Sequence, residues 1–252
     1  AAAVNTLGFV PDGPLRTIPL AALHDGKEFL IAKYAVATTP GLNLTDPRPL
    51  KRENIRLLAG GLTESVQGFP ALPNVSSELQ AIRKLYGGDL LLDKDFIATK
   101  LEKELKEGQF SIVHIASHGN FDSDVENTFI LTFDGKLTMD RLDQYVGLFK
   151  FRDKPLELLT LSACETAAGD DRAALGLAGI AIKAGARSAL ATLWFINDEA
   201  ASVLIAEFYR QLQDPSVSKA VALQQAQGKM LAHPVYRHPA YWAPFLLLNN
   251  WL

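Results

Sequence analysis

From Ile55 to Leu248 the sequence alternates short, nearly continuous apolar runs with amphipathic stretches, and few architectures accommodate that alternation. The apolar runs are Ile55–Ala59, Asp89–Leu92, Ser111–Ala116, Leu156–Leu161, Ser188–Leu193 and Phe245–Leu248. Near-unbroken apolarity over so few residues is what a strand buried on both faces requires. Between them, Ser77–Tyr86, Ile97–Glu107, Ala173–Ala184, Asp198–Leu212 and Ser216–Leu231 are expected as helices, the first behind a Ser76/Ser77 cap. The expected fold is α/β, a mostly parallel central sheet with helices on both faces. Active sites of such sheets lie beyond the carboxyl ends of the strands.

Two features depart from that alternation. At the start, Pro11-Asp-Gly-Pro14 separates the apolar runs of Leu7–Leu20 and reads as the turn of a β-hairpin, with a third strand over Phe29–Ala37. Further on, Asp134-Gly135 inside Phe129–Thr138 predicts a small antiparallel ribbon between the third and fourth strands of the series. Residues 1–54 are therefore expected to form a β-rich extension packed on a main domain of residues 55–252.

The balance of 25 basic and 28 acidic residues, with 48% hydrophobic positions, excludes a disordered chain and leaves no basic stripe for nucleic acid. No apolar run approaches the roughly 20 residues that span a bilayer, and Ala1–Ala3 lacks the basic flank of a signal peptide, so the expected location is the cytoplasm, without membrane contact. The only methionines are Met139 and Met230, and a start without methionine is expected of a fragment of a longer or processed polypeptide. The one cysteine, Cys164, forbids an internal disulfide and a multi-cysteine zinc site. A lone cysteine is a buried small hydrophobe or a nucleophile, and its neighbours decide between these.

Common catalytic strings are absent: no Gly-x-Ser-x-Gly, no His-Glu-x-x-His, no Gly-Lys-Ser/Thr phosphate loop and no Gly-x-Gly-x-x-Gly. The acids of Asp122-Ser-Asp-Val-Glu126 resemble the start of a calcium loop, but the glycine and distant glutamate of that motif are missing, and a solvated acidic loop is the better reading. No metal or organic cofactor is expected. Two strand ends remain. Ser111–Ala116 runs into Ser117-His118-Gly119, and Leu156–Leu161 runs into Ser162-Ala163-Cys164. If these strands are parallel neighbours, about 4.8 Å apart, an imidazole and a thiol sit across one cleft as base and nucleophile. The order, His upstream of Cys by roughly 50 residues, is the one recorded for caspases.

Both pairs resemble the caspase–gingipain–separase group of cysteine peptidases. More closely, Ile115-Ala-Ser-His-Gly119, Leu161-Ser-Ala-Cys-Glu-Thr166, Ala191-Thr-Leu-Trp194 and His238-Pro-Ala-Tyr-Trp-Ala-Pro-Phe245 are similar to a CHAT domain, the caspase-like module often fused to tetratricopeptide repeats. Val10-Pro-Asp-Gly-Pro-Leu-Arg16 and Pro19-Leu-Ala-Ala-Leu-His24 fit the same family, so the resemblance covers almost the whole chain. It implies a caspase-like fold, His118 as general base, Cys164 as nucleophile, and the backbone N–H groups of Gly119 and Cys164 as an oxyanion hole. It also implies a protein or peptide substrate and a regulatory sensor region or repeat-type partner.

His114, four residues before His118, is expected below the rim, in the core or behind the site, and His24, His233 and His238 are expected to be structural. Small residues of Ala173–Ala184, among them Gly176 and Gly179, are expected to pack that helix closely on the sheet. Asp198 and Trp194 follow the fifth strand. There Asp198 is either an S1 residue facing a basic P1 side chain, with Trp194 as the pocket wall, or simply the cap of the helix it precedes. The family often has a second acid where this chain has Asn197. The leading expectation is a cysteine endopeptidase working through a thioester. Its rivals are a catalytically silent caspase-like interaction module and a cysteine acyltransferase or amidase on a similar sheet.

Overall fold

The structure is a computed structural model that describes residues 4–41, 45, 48–53, 55–121, 127–138, 141, 144, 155–166 and 185–252, with the backbone alone for Phe121 and residues 163–166. Among the described residues ten strands form one sheet: β1 (Thr6–Phe9), β2 (Ala35–Thr38), β3 (Leu57–Gly61), β4 (Asp89–Leu92), β5 (Ile112–Phe121), β6 (Phe129–Thr132), β7 (Gly135–Thr138), β8 (Leu158–Thr166), β9 (Ser188–Thr192) and β10 (Phe245–Asn249). Their order is β1-β2-β10-β9-β8-β5-β3-β4, with β6 and β7 branching from β5 as the expected ribbon. The five strands from β9 to β4 are mutually parallel, β10 is antiparallel to β9, and β2 and β1 run parallel to β10.

The described helices are α1 (Leu30–Lys33), α2 (Val75–Tyr86), α3 (Ala98–Glu107), α4 (Asp198–Leu212) and α5 (Lys219–Leu231). Each long one presents an apolar face to the sheet. Leu79 and Ile82 of α2, Leu204 and Phe208 of α4, and Leu223 and Met230 of α5 share one core with Leu57, Ile112 and Leu158 on one side of the sheet. Leu101 and Leu105 of α3 join Val113, Leu159 and the ribbon residues Ile130 and Leu137 on the other. Helices on both faces match the expectation, while the helix expected over Ala173–Ala184 and the acidic loop Asp122–Glu126 lie outside the described residues. Among the described residues no helix is long and apolar enough to cross a membrane.

The first segment differs from the expected hairpin. The Asp12 carboxylate accepts from Gly13 N–H at 2.9 Å and starts a 3-10 helix over Gly13–Thr17 with a proline in its first turn. That winds the chain up where a hairpin would have folded it back. The chain then returns through α1 to lay β2 parallel to β1, a pairing that only a long crossover permits. Leu30–Lys33, expected as strand, is accordingly a helical turn.

Two central strands run further than their apolar letters. β3 reaches Gly61 because only glycine fits there: a Cβ on Gly61 would lie 2.4 Å from the Ala116 carbonyl and 2.8 Å from Val75 Cγ1, and one on Gly60 would lie 2.6 Å from the Phe96 ring. β5 continues past the apolar run through Ser117, His118 and Gly119, where the ladder to β8 shifts register between Ala116 and Gly119. The shift is held from the side, since Ser117 Oγ donates to Leu131 O at 2.6 Å and Gly119 pairs with Ile130 of β6.

Candidate active site

β5 and β8 are parallel neighbours, and below the shift they pair Ile112 with Leu158 through Ala116 with Ser162. Above it Gly119 is opposite Cys164, so the backbone sets the chain's one thiol residue across from the residue that follows His118. Parallel strands are about 4.8 Å apart, which makes these two positions immediate neighbours. Both residues lie within the last turns of the ladder, two residues before the strand ends Phe121 and Thr166 in each case for Gly119 and Cys164, with His118 one residue earlier.

His118 is 8% exposed. Its Nε2 lies 2.8 Å from the carbonyl oxygen of Pro70, and because a carbonyl only accepts, Nε2 carries the proton and donates it. In the neutral ring the lone pair is then on Nδ1, so Nδ1 is the proton acceptor. Phe69 covers the ring, with centroids 5.3 Å apart, and itself meets Phe129 of β6 edge-on at 6.0 Å. Two residues that sequence reasoning passed over thus orient His118. In the sequence they stand only in the Pro- and Gly-containing stretch Gly68–Pro73, because a carbonyl's role leaves no mark in side-chain identity.

His114 is fully buried and belongs to another network. Its Nε2 is 2.8 Å from Glu78 Oε1 of α2, its Nδ1 is 3.2 Å from the Tyr209 hydroxyl of α4, and that hydroxyl is 2.8 Å from Thr160 Oγ1. Burial pushes the Tyr209 phenol well above its usual value, so it stays a neutral hydroxyl. The cluster ties α2 and α4 to β5 and β8 beneath the site. Ser162 Oγ, buried two pairs above Thr160 on β8, has no hydrogen-bond partner among the described residues. The other imidazoles serve turns: Nδ1 of His24, His233 and His238 accepts from the backbone N–H of Gly26, Val235 and Ala240 respectively.

Asp198 and Trp194 follow β9, the strand beside β8. Asn197, not Asp198, caps α4, its Oδ1 accepting from Ala200 N–H at 3.0 Å. The Asp198 carboxylate instead accepts twice at Oδ2 from Asn74, from its backbone N–H at 2.8 Å and its Nδ2 at 2.9 Å. Trp194 is half-buried and its Nε1 donates to Ala240 O at 3.4 Å. Neither hydrogen-bonds to His118 among the described residues. No cluster of three or more metal-ligating side chains occurs among the described residues.

The arrangement provides an oriented imidazole and a thiol residue on adjacent parallel strands. The family model of the CHAT domain matches residues 1–250. No curated protein sequence matches the chain. Among solved structures, the fold is similar to that of the Arg specific cysteine proteinase gingipain R, with a TM-score of 0.57 and 9% identity over 91% of this chain and 56% of the other. A complex of the pro- and mature domains of the same gingipain from Porphyromonas gingivalis gives a TM-score of 0.50 and 10% identity over 78% of this chain and 47% of that one. Separase in the separase–securin complex of Saccharomyces cerevisiae gives 0.54 and 11% identity over 86% of this chain and 14% of the other. The chain thus spans about half the length of the gingipain chains and a smaller part of the separase chain. At these identities the likeness is one of fold, that of caspase-like and separase-like cysteine peptidases.

Proposed function

The chain belongs to the CHAT domain family, whose model spans nearly all of it, and on that premise we propose that it is a cysteine endopeptidase with a His118–Cys164 dyad. The observation that carries the reading is the placement of Cys164 opposite Gly119, beside a His118 whose Nε2–H is committed to Pro70. Nδ1 of His118 takes the proton from the Cys164 thiol, and the thiolate adds to a peptide carbonyl carbon. The Pro70 carbonyl, accepting from Nε2–H, keeps the ring oriented while it holds that proton. Negative charge on the carbonyl oxygen is met by the backbone N–H groups of Gly119 and Cys164. Collapse of this adduct breaks the C–N bond, and the amine leaves with the proton from His118. Water then attacks the thioester, giving up a proton to His118 and releasing the carboxylate and the thiol.

For the substrate side chain before the scissile bond, the reading places Trp194 as a wall and Asp198 as an anionic partner of a basic P1 residue. Oδ2 of Asp198 is taken by Asn74, and among the described residues this leaves Oδ1 for that contact. The gingipain of similar fold is Arg specific. Control by a separate sensor region or a repeat-type partner is part of the proposal, and a protein partner of some kind is supported by the pro-domain and securin present in the complexes similar in fold.

A peptidyl probe with a thiol-reactive warhead tests the reading. Wild type should be labelled at Cys164, His118→Gln should be labelled far more slowly, and Cys164→Ala not at all. Equal labelling of wild type and His118→Gln would make the protein a caspase-like module without a working dyad.

A further inference from the structure

The carbonyl that holds His118 belongs to the segment between β3 and α2, and that segment is pinned at both ends by carboxylates. At its start, Asp93 accepts from Thr63 N–H and Thr63 Oγ1, both at 2.6 Å, and from Glu64 N–H at 3.2 Å. At its end, Asp198 holds Asn74 through two bonds to one oxygen. The second pin crosses the molecule. Asn74 follows β3, Asp198 follows β9, and in the sheet those strands are separated by β8 and β5, which carry Cys164 and His118.

Asn74 stands at the N-terminus of α2, where an asparagine side chain ordinarily accepts from a helix N–H. Here it makes no cap and donates to Asp198. Asp198, in turn, is released from capping its own helix because Asn197 does that. Each residue has been freed from its local duty, and each spends its side chain on the other.

The link is short and stiff. Only Ala71, Leu72 and Pro73 separate Pro70 from Asn74, and the two prolines fix their own φ angles. Leu72 is 2% exposed, its N–H donates to Thr63 O at 3.1 Å, and its carbonyl receives Val75 N–H at 3.1 Å. A displacement at Asn74 is therefore passed to the Pro70 carbonyl, and from there to the ring that hydrogen-bonds it.

We infer that Asp198 is a positioning residue for the dyad: through Asn74 its carboxylate fixes the Pro70 carbonyl and with it the orientation and tautomer of His118. The inference rests on the peptidase reading above. It assigns work to Oδ2, separate from any contact of Oδ1 with substrate.

Two measurements that need no substrate test it. The first is the alkylation rate of Cys164 by iodoacetamide at pH 7, made unambiguous by its being the only thiol. The second is the imidazole ¹⁵N spectrum of His118, assigned by its loss in His118→Gln. Wild type should react faster than His118→Gln and show His118 protonated at Nε2. Asp198→Ala should lose about tenfold in alkylation rate, in line with what sub-ångström to ångström misplacement costs, and its His118 signal should move toward a tautomer mixture. Asp198→Asn and Asn74→Ala, which each leave part of the link, should fall between and serve if Asp198→Ala does not fold. Wild-type alkylation rate and an unchanged His118 spectrum in folded Asp198→Ala, or in both milder variants, would overturn the positioning role and leave the dyad standing. A wild-type rate no faster than that of His118→Gln would overturn the dyad itself.

Discussion

Gly119 of β5 and Cys164 of β8 are register partners in adjacent parallel strands, reached only because the ladder shifts between Ala116 and Gly119. That shift separates two histidines on the same strand. Below it His114 is locked between Glu78 and Tyr209; within it His118 meets Pro70 and Phe69.

The two imidazoles should therefore fail in different ways. His118→Gln is expected to lower turnover by about 10²-fold or more, the usual range for a lost general base, with little change in thermal stability. His114→Gln is expected to keep turnover and to lose on the order of 2–4 kcal/mol of stability, because it breaks a buried pair with Glu78. Peptide cleavage and denaturant unfolding of both variants check this, and the reverse pattern would move the base to His114.

Gly61→Ala should destabilise the domain by about 1–3 kcal/mol, as overpacking does. Its Cβ would sit 2.4 Å from the Ala116 carbonyl, immediately before the register shift, so β5 must move. An unfolding curve matching wild type would show that β3 and β5 can separate without cost.

How far the sequence discloses this molecule depends on which atoms do the work. The central strands, the ribbon and α2 to α5 follow from apolar periodicity, because burial on both faces or on one selects the residue types directly. α4 begins at Asp198 as its pattern suggests, and α5 begins behind the cap Ser218. The hairpin expectation failed at Asp12, whose side chain bonded the next N–H and turned a hairpin signal into a 3-10 start. His118 and Cys164 were legible as strand-end residues. Pro70 was not, since it acts through a backbone carbonyl, and the Asp198–Asn74 bond was not, since it joins residues 124 apart in sequence.

Acid should weaken the packing of α4 on α5 through Glu207. Burial opposes ionisation of this carboxylate, but hydrogen bonds from Arg210, Lys229 and Gln211 outweigh it and hold the group at about 2 against an ordinary 4.5. Its contribution is complete above about pH 4.5 and is lost as pH falls toward 2. Wild type should exceed Glu207→Gln in stability by on the order of 2 kcal/mol at pH 6, reduced from the full linkage value because the Arg210 and Lys229 heads are exposed, and the gap should shrink by pH 3. Urea unfolding of both proteins at the two pH values reads it out; a gap independent of pH would remove Glu207 from the acid response.

The most direct measurement is the mapping of newly created peptide ends in a native protein mixture treated with wild type, Cys164→Ala or His118→Gln. Wild type should produce a defined set of new amino termini, absent with Cys164→Ala and depleted about 10²-fold in rate with His118→Gln. The same termini appearing with Cys164→Ala at the wild-type rate would contradict peptide cleavage through this cysteine.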